Sequence, residues 1–461
     1  MSKSHILADQ AASPPRVLPY FWLVLAVAML AIVSNYAGEQ ILQRLAMLED
    51  TPTAPVLASI ALIALCGFAS FYATRGTPIP SFVVAIALGM AGHTLFAPIV
   101  ANPVALASLV TGSAALILFG GGLEMPLRDF MRLFVKIALL AFPGVILMGF
   151  ALSFAVTSLG NVLGFAIAPA VVILLGAILA STDPAAIIPV LQNVRFVRRD
   201  TKDIVIAESA LNDVVGTLLT SAFLKLSLAT LSIAAAYQAL VTPETTHFLA
   251  TQLGYGTAFG ALGFAMLWIL GRIKRRRPTT FGADQTYFLA VPIIAFVGAA
   301  AFGGSGFLAA FLAGLLFHAG EHMKEIEHFF AQVTDGVAKP LIFLLVGALV
   351  DVHALVAYAP IGIAAALVFM FVLRPAMVFA MLGVYALFPG SKRGLSVKEL
   401  LFISFVRETG AIPAVLLVTA VASMTTPVHG LVEIGMWVIL LTLLLAPPLT
   451  PWVARKLGVA E

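Results

Sequence analysis

Residues 171–224 read VVILLGAILASTDPAAIIPVLQNVRFVRRDTKDIVIAESALNDVVGTLLTSAFL, and this stretch decides the architecture. Two apolar runs, each near the roughly 20 residues that cross a bilayer's hydrocarbon core, flank a loop holding Arg195, Arg198, Arg199 and Lys202. A basic loop between two apolar runs marks a helical hairpin turned toward the cytoplasm. Yet both runs carry polar and charged residues in their interior: Ser181-Thr182-Asp183-Pro184 in the first, Glu208-Ser209-Ala210-Leu211-Asn212-Asp213 in the second. A charge at the bilayer centre costs about 3 kcal/mol or more, so these residues are candidates for function by default.

The whole chain has the same character. Of 461 residues, 61% are hydrophobic and only 10% charged, with a mean hydropathy of +1.05. Soluble domains carry about 25% charged residues, so this composition excludes a cytosolic enzyme, a secreted scaffold and a disordered hub. The net charge of +4 is too mild for a nucleic-acid partner. The single cysteine, Cys66, lies in an apolar run and forms no intramolecular disulfide. No phosphate-cradling loop or Cys/His metal cluster is present, which argues against an ATP-driven pump and implies no cofactor.

The sequence predicts an all-α polytopic membrane protein with about 13–14 membrane helices. Candidates cover about 17–34, 54–73, 79–100, 103–126, 134–158, 162–191, 204–230, 248–271, 285–301, 303–319, 333–352, 359–387, 398–423 and 432–453. Every second loop is basic: Arg128, Arg132 and Lys136 precede the fifth helix, Arg272 to Arg277 follow the eighth, Lys392, Arg393 and Lys398 the twelfth, Arg455 and Lys456 the last. The alternate loops near 50, 101, 160, 244, 304, 352 and 428 have almost no Lys or Arg. This pattern places both termini in the cytoplasm; the plasma (inner) membrane is the expected location. Glu321–His328, of mixed charge, reads as a short amphipathic surface helix. The first helix reads as an uncleaved membrane segment.

Three segments break the helical pattern. Pro184 removes a backbone donor and biases Asp183 away from helical geometry, so an unwound turn beside a carboxylate is expected in the sixth helix; the bland alternative is an Asp capping a helix that ends there. In the seventh, Ser209 and Asp213 share one face and Glu208 and Asn212 the adjoining one. Glu208 is near enough to the basic end to snorkel; Asp213 is too deep. The thirteenth holds Arg407-Glu408-Thr409-Gly410-Ala411-Ile412-Pro413. The sixth and thirteenth helices run in opposite directions, as two inverted six-helix repeats with paired discontinuous helices require, and such paired breaks point to a transporter binding site. The expected organisation is an N-terminal extra helix and surface segment (1–50), a first repeat with the ion site (51–230), a linking helix (231–284) and a second repeat (285–461). Glu124, Asp351, His93, His318, His353 and His429 lie at helix ends, where solvated roles are expected. Arg374-Pro375, inside the twelfth helix, needs a carboxylate partner.

Thr182-Asp183-Pro184 followed by Glu208-Ser209-x-x-Asn212-Asp213 resembles the paired signature of the monovalent cation:proton antiporters, and is most similar to the NhaP/NHE-like sodium/proton exchangers. Pro340 to Gly347 and Phe119 to Leu123 also resemble that family's pattern, over about 50–455 of the chain. The resemblance implies the inverted-repeat antiporter fold, alternating access and a homodimer. It makes Asp183 and Asp213 the ion- and proton-binding carboxylates, with Thr182 and Ser209 as further oxygen ligands. Asn212 stands where electrogenic relatives have a second aspartate, which implies electroneutral exchange of one cation for one proton. Relatives pair the counterpart of Glu208 with a membrane arginine. Their thirteenth-helix pattern places that arginine directly before Gly-Ala, where this chain has Thr409. Arg407 and Arg374 are both candidates. Some relatives carry an acidic residue near the position of Gly120; this chain does not.

The residues support the same chemistry without the name. A hard cation needs several oxygen ligands, and desolvation brings a carboxylate's protonation toward neutral pH. The same oxygens then take a proton or a cation, but not both. The expected activity is sodium (lithium)/proton antiport, with potassium/proton antiport on the same scaffold as the alternative. A cation channel needs no titrating carboxylate. An intramembrane aspartyl protease fits the Asn-Asp pair and broken helices less well.

Overall fold

The computed structural model describes residues 17–47, 53–74, 80–182, 191, 194–226, 228, 231–277, 282–318, 323–387, 394–424 and 429–461. Among them there is no β-strand, only an isolated bridge between Phe196 and Ala460. Ten helices are long and apolar enough to cross a membrane. An eleventh span is bent by 89° between Ser81–Ala91 and His93–Val100, and Pro169–Leu179, Gly306–Leu316 and Ala411–Ser423 are shorter apolar helices. Each of the fourteen expected segments coincides with one of these.

The differences lie at the ends and have local causes. The first helix runs Val17–Ala46, beyond its apolar stretch. The linking helix runs Pro243–Arg276 and ends on Lys274, Arg275 and Arg276, cations that complement its C-terminal dipole. The expected surface helix over 321–328 is instead the start of one continuous segment, Lys324–Leu349; Glu321 lies outside the described residues. Its side chains Ile326 and Phe330 are buried, Phe330 edge-on to Phe119 and Phe288. Two π-helical turns interrupt long helices, Thr334–Ala338 and Phe369–Leu373. In each case a proline follows two residues later, Pro340 and Pro375, and its missing N–H leaves the carbonyl four residues back without its usual donor.

Two crossings lock the bundle, and they are reciprocal. A β-carbon on Gly347 would lie 2.3 Å from the Ile86 carbonyl oxygen, and one on Gly89 would lie 2.1 Å from that of Leu344. Likewise Gly122 abuts the Phe311 carbonyl (2.3 Å) and Gly314 that of Phe119 (2.2 Å). Only glycine lets backbones meet this closely, the usual device of helices packed without a hydrophobic drive. In each pair, a helix from one half of the chain crosses one from the other.

Burial separates the helices by role. In the first helix 11% of the apolar window is buried; in Arg199–Leu224, which holds Glu208 and Asp213, 89% is. That helix faces protein on nearly all sides, so its carboxylates meet side chains rather than lipid.

Candidate ion-binding site

The site is built where two helices come apart. Pro169–Leu179 ends at Ala180, and Ser181 and Thr182 leave helical geometry. Val397–Phe405 likewise ends at Val406, and Ala411–Ser423 starts only after Gly410. Both breaks pack against Arg199–Leu224, where Gly216 makes room for Ser181: a β-carbon there would stand 2.9 Å from the serine Cβ. Asp183 and Pro184, the carboxylate and proline expected at the first break, lie outside the described residues.

Thr182 is held by the helix that follows it. Its backbone N–H donates to Asn212 Oδ1 at 3.0 Å, and its hydroxyl oxygen accepts from Ser209 Oγ at 3.0 Å and from Asn212 Nδ2. Asn212 Nδ2 also donates to Glu208 Oε1 at 2.9 Å, one turn earlier. A single amide side chain thus satisfies an orphan N–H at the helix break and joins three polar residues. Every member is buried, with Asp213 1% exposed. Ser209 and Asp213, four residues apart, share a face of the helix. Thr182, Ser209, Asn212 and Glu208 thus form one buried polar network on the helix that also carries the buried Asp213.

Glu208 pairs with Arg374. Arg374 Nη1 donates to Oε1 at 3.0 Å and Nη2 to Oε2 at 2.8 Å, a bidentate pair with both side chains at most 2% exposed. This decides between the two arginines and accounts for the charge inside the twelfth helix. Arg407 does other work: its Nη2 donates to the carbonyls of Leu179 and Ala180, each at 3.1 Å, and its guanidinium lies 4.1 Å over the Phe369 ring. These carbonyls end the first half-helix, where a cation offsets the dipole. Glu408, beside it, is also buried.

Sequence reasoning missed two groups. Thr442, in the final helix, accepts from the backbone of Thr409 at the second break; it stands in an unbroken apolar run and nothing marks it. Nearer the basic loops, Glu399 accepts from Arg198, Thr201 and the backbone N–H of Ser396, tying the start of one site helix to another. The boundary reading of Asp351 fits a helix cap, its carboxylate accepting from His353 N at 2.8 Å.

Two cavities open near the start of the helix that carries Asp213. One, of about 580 Å³, is lined by Glu124, Asp129, Arg132, Asp200 and Asp203 and reaches Ile206. The other, of about 200 Å³, lies along Gly120, Gly121, Glu124, Glu327 and Phe330, and Gly121 faces Ala210. Glu124 borders both; the larger is lined by charges of both signs, with Arg132 ion-paired to Asp129, Asp200 and Asp203 and with Arg199 and Lys202 beside them.

Residues 57–456 match the family described as sodium/hydrogen exchanger, transmembrane. Among curated proteins, the K(+)/H(+) antiporter NhaP of Alkalimonas amylolytica is 30% identical over 345 residues, 73% of this chain and 55% of that protein. The chain thus spans about half the length of that relative. Among solved structures, the sodium proton antiporter MjNhaP1 of Methanocaldococcus jannaschii at pH 8 superposes with a TM-score of 0.64 at 22% identity, covering 87% of this chain and 99% of that one. An electron-microscopy structure of MjNhaP1 gives 0.56 at 24% identity, covering 96% and 98%. These likenesses show a shared antiporter fold, and with the family pattern filling almost the whole sequence, the chain belongs to the transmembrane sodium/hydrogen exchangers.

Proposed function

We propose that the protein exchanges one monovalent cation, Na⁺ or Li⁺, for one proton across the plasma membrane, at a site built on Asp213 and Asp183. The observation that carries this reading is the buried polar network of Thr182, Ser209 and Asn212 on the helix that also carries the buried Asp213. Thr182 and Ser209 are hydrogen-bonded to one another at the helix break, one turn from Asp213. Burial disfavours a charged carboxylate, and a proton or a cation bound to the same oxygens relieves that cost. Glu208 is excluded from this role because Arg374 already balances it. Asn212 orients Thr182 and adds no charge. A proton and a monovalent cation that exclude one another at the same carboxylates, with a neutral residue at position 212, give one-for-one exchange. With neither species bound the site carries one more negative charge, and a buried charge is costly to carry through the membrane, which couples the two fluxes.

The second reading is K⁺/H⁺ exchange, favoured by the name of the Alkalimonas amylolytica relative. Purified protein in liposomes with an imposed proton gradient separates the two. Dissipation of the gradient by Na⁺ and Li⁺, unchanged when the membrane potential is clamped, supports the first reading; a response to K⁺ supports the second. No response to any of the three, from folded protein, overturns both.

A further inference from the structure

The second helix break is moored as the first is. Thr409 donates its backbone N–H to Thr442 Oγ1 at 3.1 Å, and the two hydroxyl oxygens stand 2.6 Å apart. Thr442 gives its own hydroxyl hydrogen to the Ile439 carbonyl at 3.0 Å. Having one hydrogen to give, it accepts in both contacts with Thr409. At the first break, Thr182 also presents a backbone N–H and a hydroxyl to one side chain, that of Asn212. Each anchor stands on a long helix that follows the broken segment in the chain, Arg199–Leu224 or Leu431–Lys456. Thr409 follows Thr182 by 227 positions, and Thr442 follows Asn212 by 230. Thr442 is therefore the counterpart of Asn212 in the second half.

Threonine pairs commonly serve as plain glue between membrane helices. What this one holds gives it more. Two residues before Thr409, Arg407 closes on the carbonyls of Leu179 and Ala180, and Ala180 is two residues from Thr182. The fully buried Thr409 and Thr442 thus fix the backbone that aims a buried positive charge at the end of the first half-helix.

We propose that Thr442 is a positioning residue for cation binding: by holding Thr409 it keeps Arg407 on the Leu179 and Ala180 carbonyls, and so keeps the Thr182 break and the guanidinium charge in place. The inference rests on the exchange reading above. With the anchor gone, the half-helix end loses its cation. The released guanidinium is then free to compete with the transported ion for nearby carboxylates. The effect falls on cation affinity, not on turnover.

The test uses the full chain in liposomes, with whichever of Na⁺ and K⁺ the wild type exchanges. Thr442→Val keeps the shape and removes the acceptor; Thr442→Ser keeps the hydroxyl. Losing a buried acceptor is worth about fivefold or more in a coupled equilibrium. Thr442→Val is expected to raise the half-saturating cation concentration by that factor, with maximal rate within about twofold, and Thr442→Ser to restore the wild-type value. Thr409→Val, which removes only the hydroxyl contact, shifts it less in the same direction and decides the matter if Thr442→Val does not fold. A folded Thr442→Val or Thr409→Val with wild-type half-saturation overturns the proposal. So does a Thr442→Ser shift as large as that of Val, or a fall in maximal rate alone. Absence of exchange in the wild type removes the exchange reading itself, and the proposal with it.

Discussion

Arg374 grips both carboxylate oxygens of Glu208 across 166 positions of sequence, at 3.0 and 2.8 Å, with neither side chain more than 2% exposed. The pair joins the helix carrying Asp213 to the turn that follows the π-helical segment Phe369–Leu373. Glu208 is thereby one half of a buried ion pair that ties two distant helices together.

Glu208→Gln leaves the Arg374 charge buried without its counterion. Such a loss costs about 3–5 kcal/mol, so the thermal midpoint of the detergent-purified protein is predicted to fall by several degrees or more. Adding Arg374→Met to Glu208→Gln is expected to recover part of it. A Glu208→Gln protein with the wild-type midpoint contradicts the structural role assigned to the pair.

Asp213→Asn keeps the shape of the side chain and removes its titration. Exchange is predicted to drop to the level of empty liposomes while the protein stays folded and in the membrane. Thermal unfolding and transport measured on one preparation check both halves. Transport at the wild-type rate would mean that the coupling carboxylate is elsewhere.

If proton and cation compete for one site, acid weakens cation binding. Protonation of Asp213 removes the ligand, so the half-saturating cation concentration is predicted to rise as pH falls. In the mass-action limit of one proton, it rises by about tenfold per pH unit, with the maximal rate little changed. Initial rates against cation concentration at several pH values give the slope. A half-saturation independent of pH rules out competition.

The glycine crossings make a prediction about folding alone. In Gly347→Ala the new β-carbon meets the Ile86 carbonyl oxygen at 2.3 Å, a backbone atom with no room to move aside. Overpacking of this kind costs about 1–3 kcal/mol or more, and the yield of folded protein is expected to fall. Gly112→Ala meets nothing within 4 Å and is expected to fold as the wild type does, by size-exclusion profile. Equal yields of the two would show that the crossing tolerates separation.

Most of this fold is legible in the sequence because a bilayer asks for one simple thing, some 20 apolar residues in a helix. The basic residues between 195 and 202 and between 272 and 277 then orient the hairpins. Ser209, Asn212 and Asp213 stand out because polar groups in apolar runs are expensive. What is not legible depends on contacts between distant segments. Nothing local chooses Arg374 over Arg407 for Glu208, since both arginines stand inside expected membrane helices and only the packing of the twelfth brings one to the carboxylate. Thr442 is invisible for a related reason: threonine costs little in a membrane helix, and its role comes from the broken strand of chain beside it. The continuity of Lys324–Leu349 was hidden by its mixed charge, which is accommodated because Ile326 and Phe330 turn inward while Lys324 and Glu325 face out.

The most direct test of the central claim, that a proton and a cation compete for Asp213, is to count protons released when the cation binds. Calorimetric titration of the purified protein in two buffers of different ionisation enthalpy gives that number without transport. The account predicts about half a proton released per cation bound at the pH of half-protonation, rising toward one well below it, and no cation-linked release from Asp213→Asn. Cation binding by the wild type with no proton released, or unchanged release in Asp213→Asn, would contradict it.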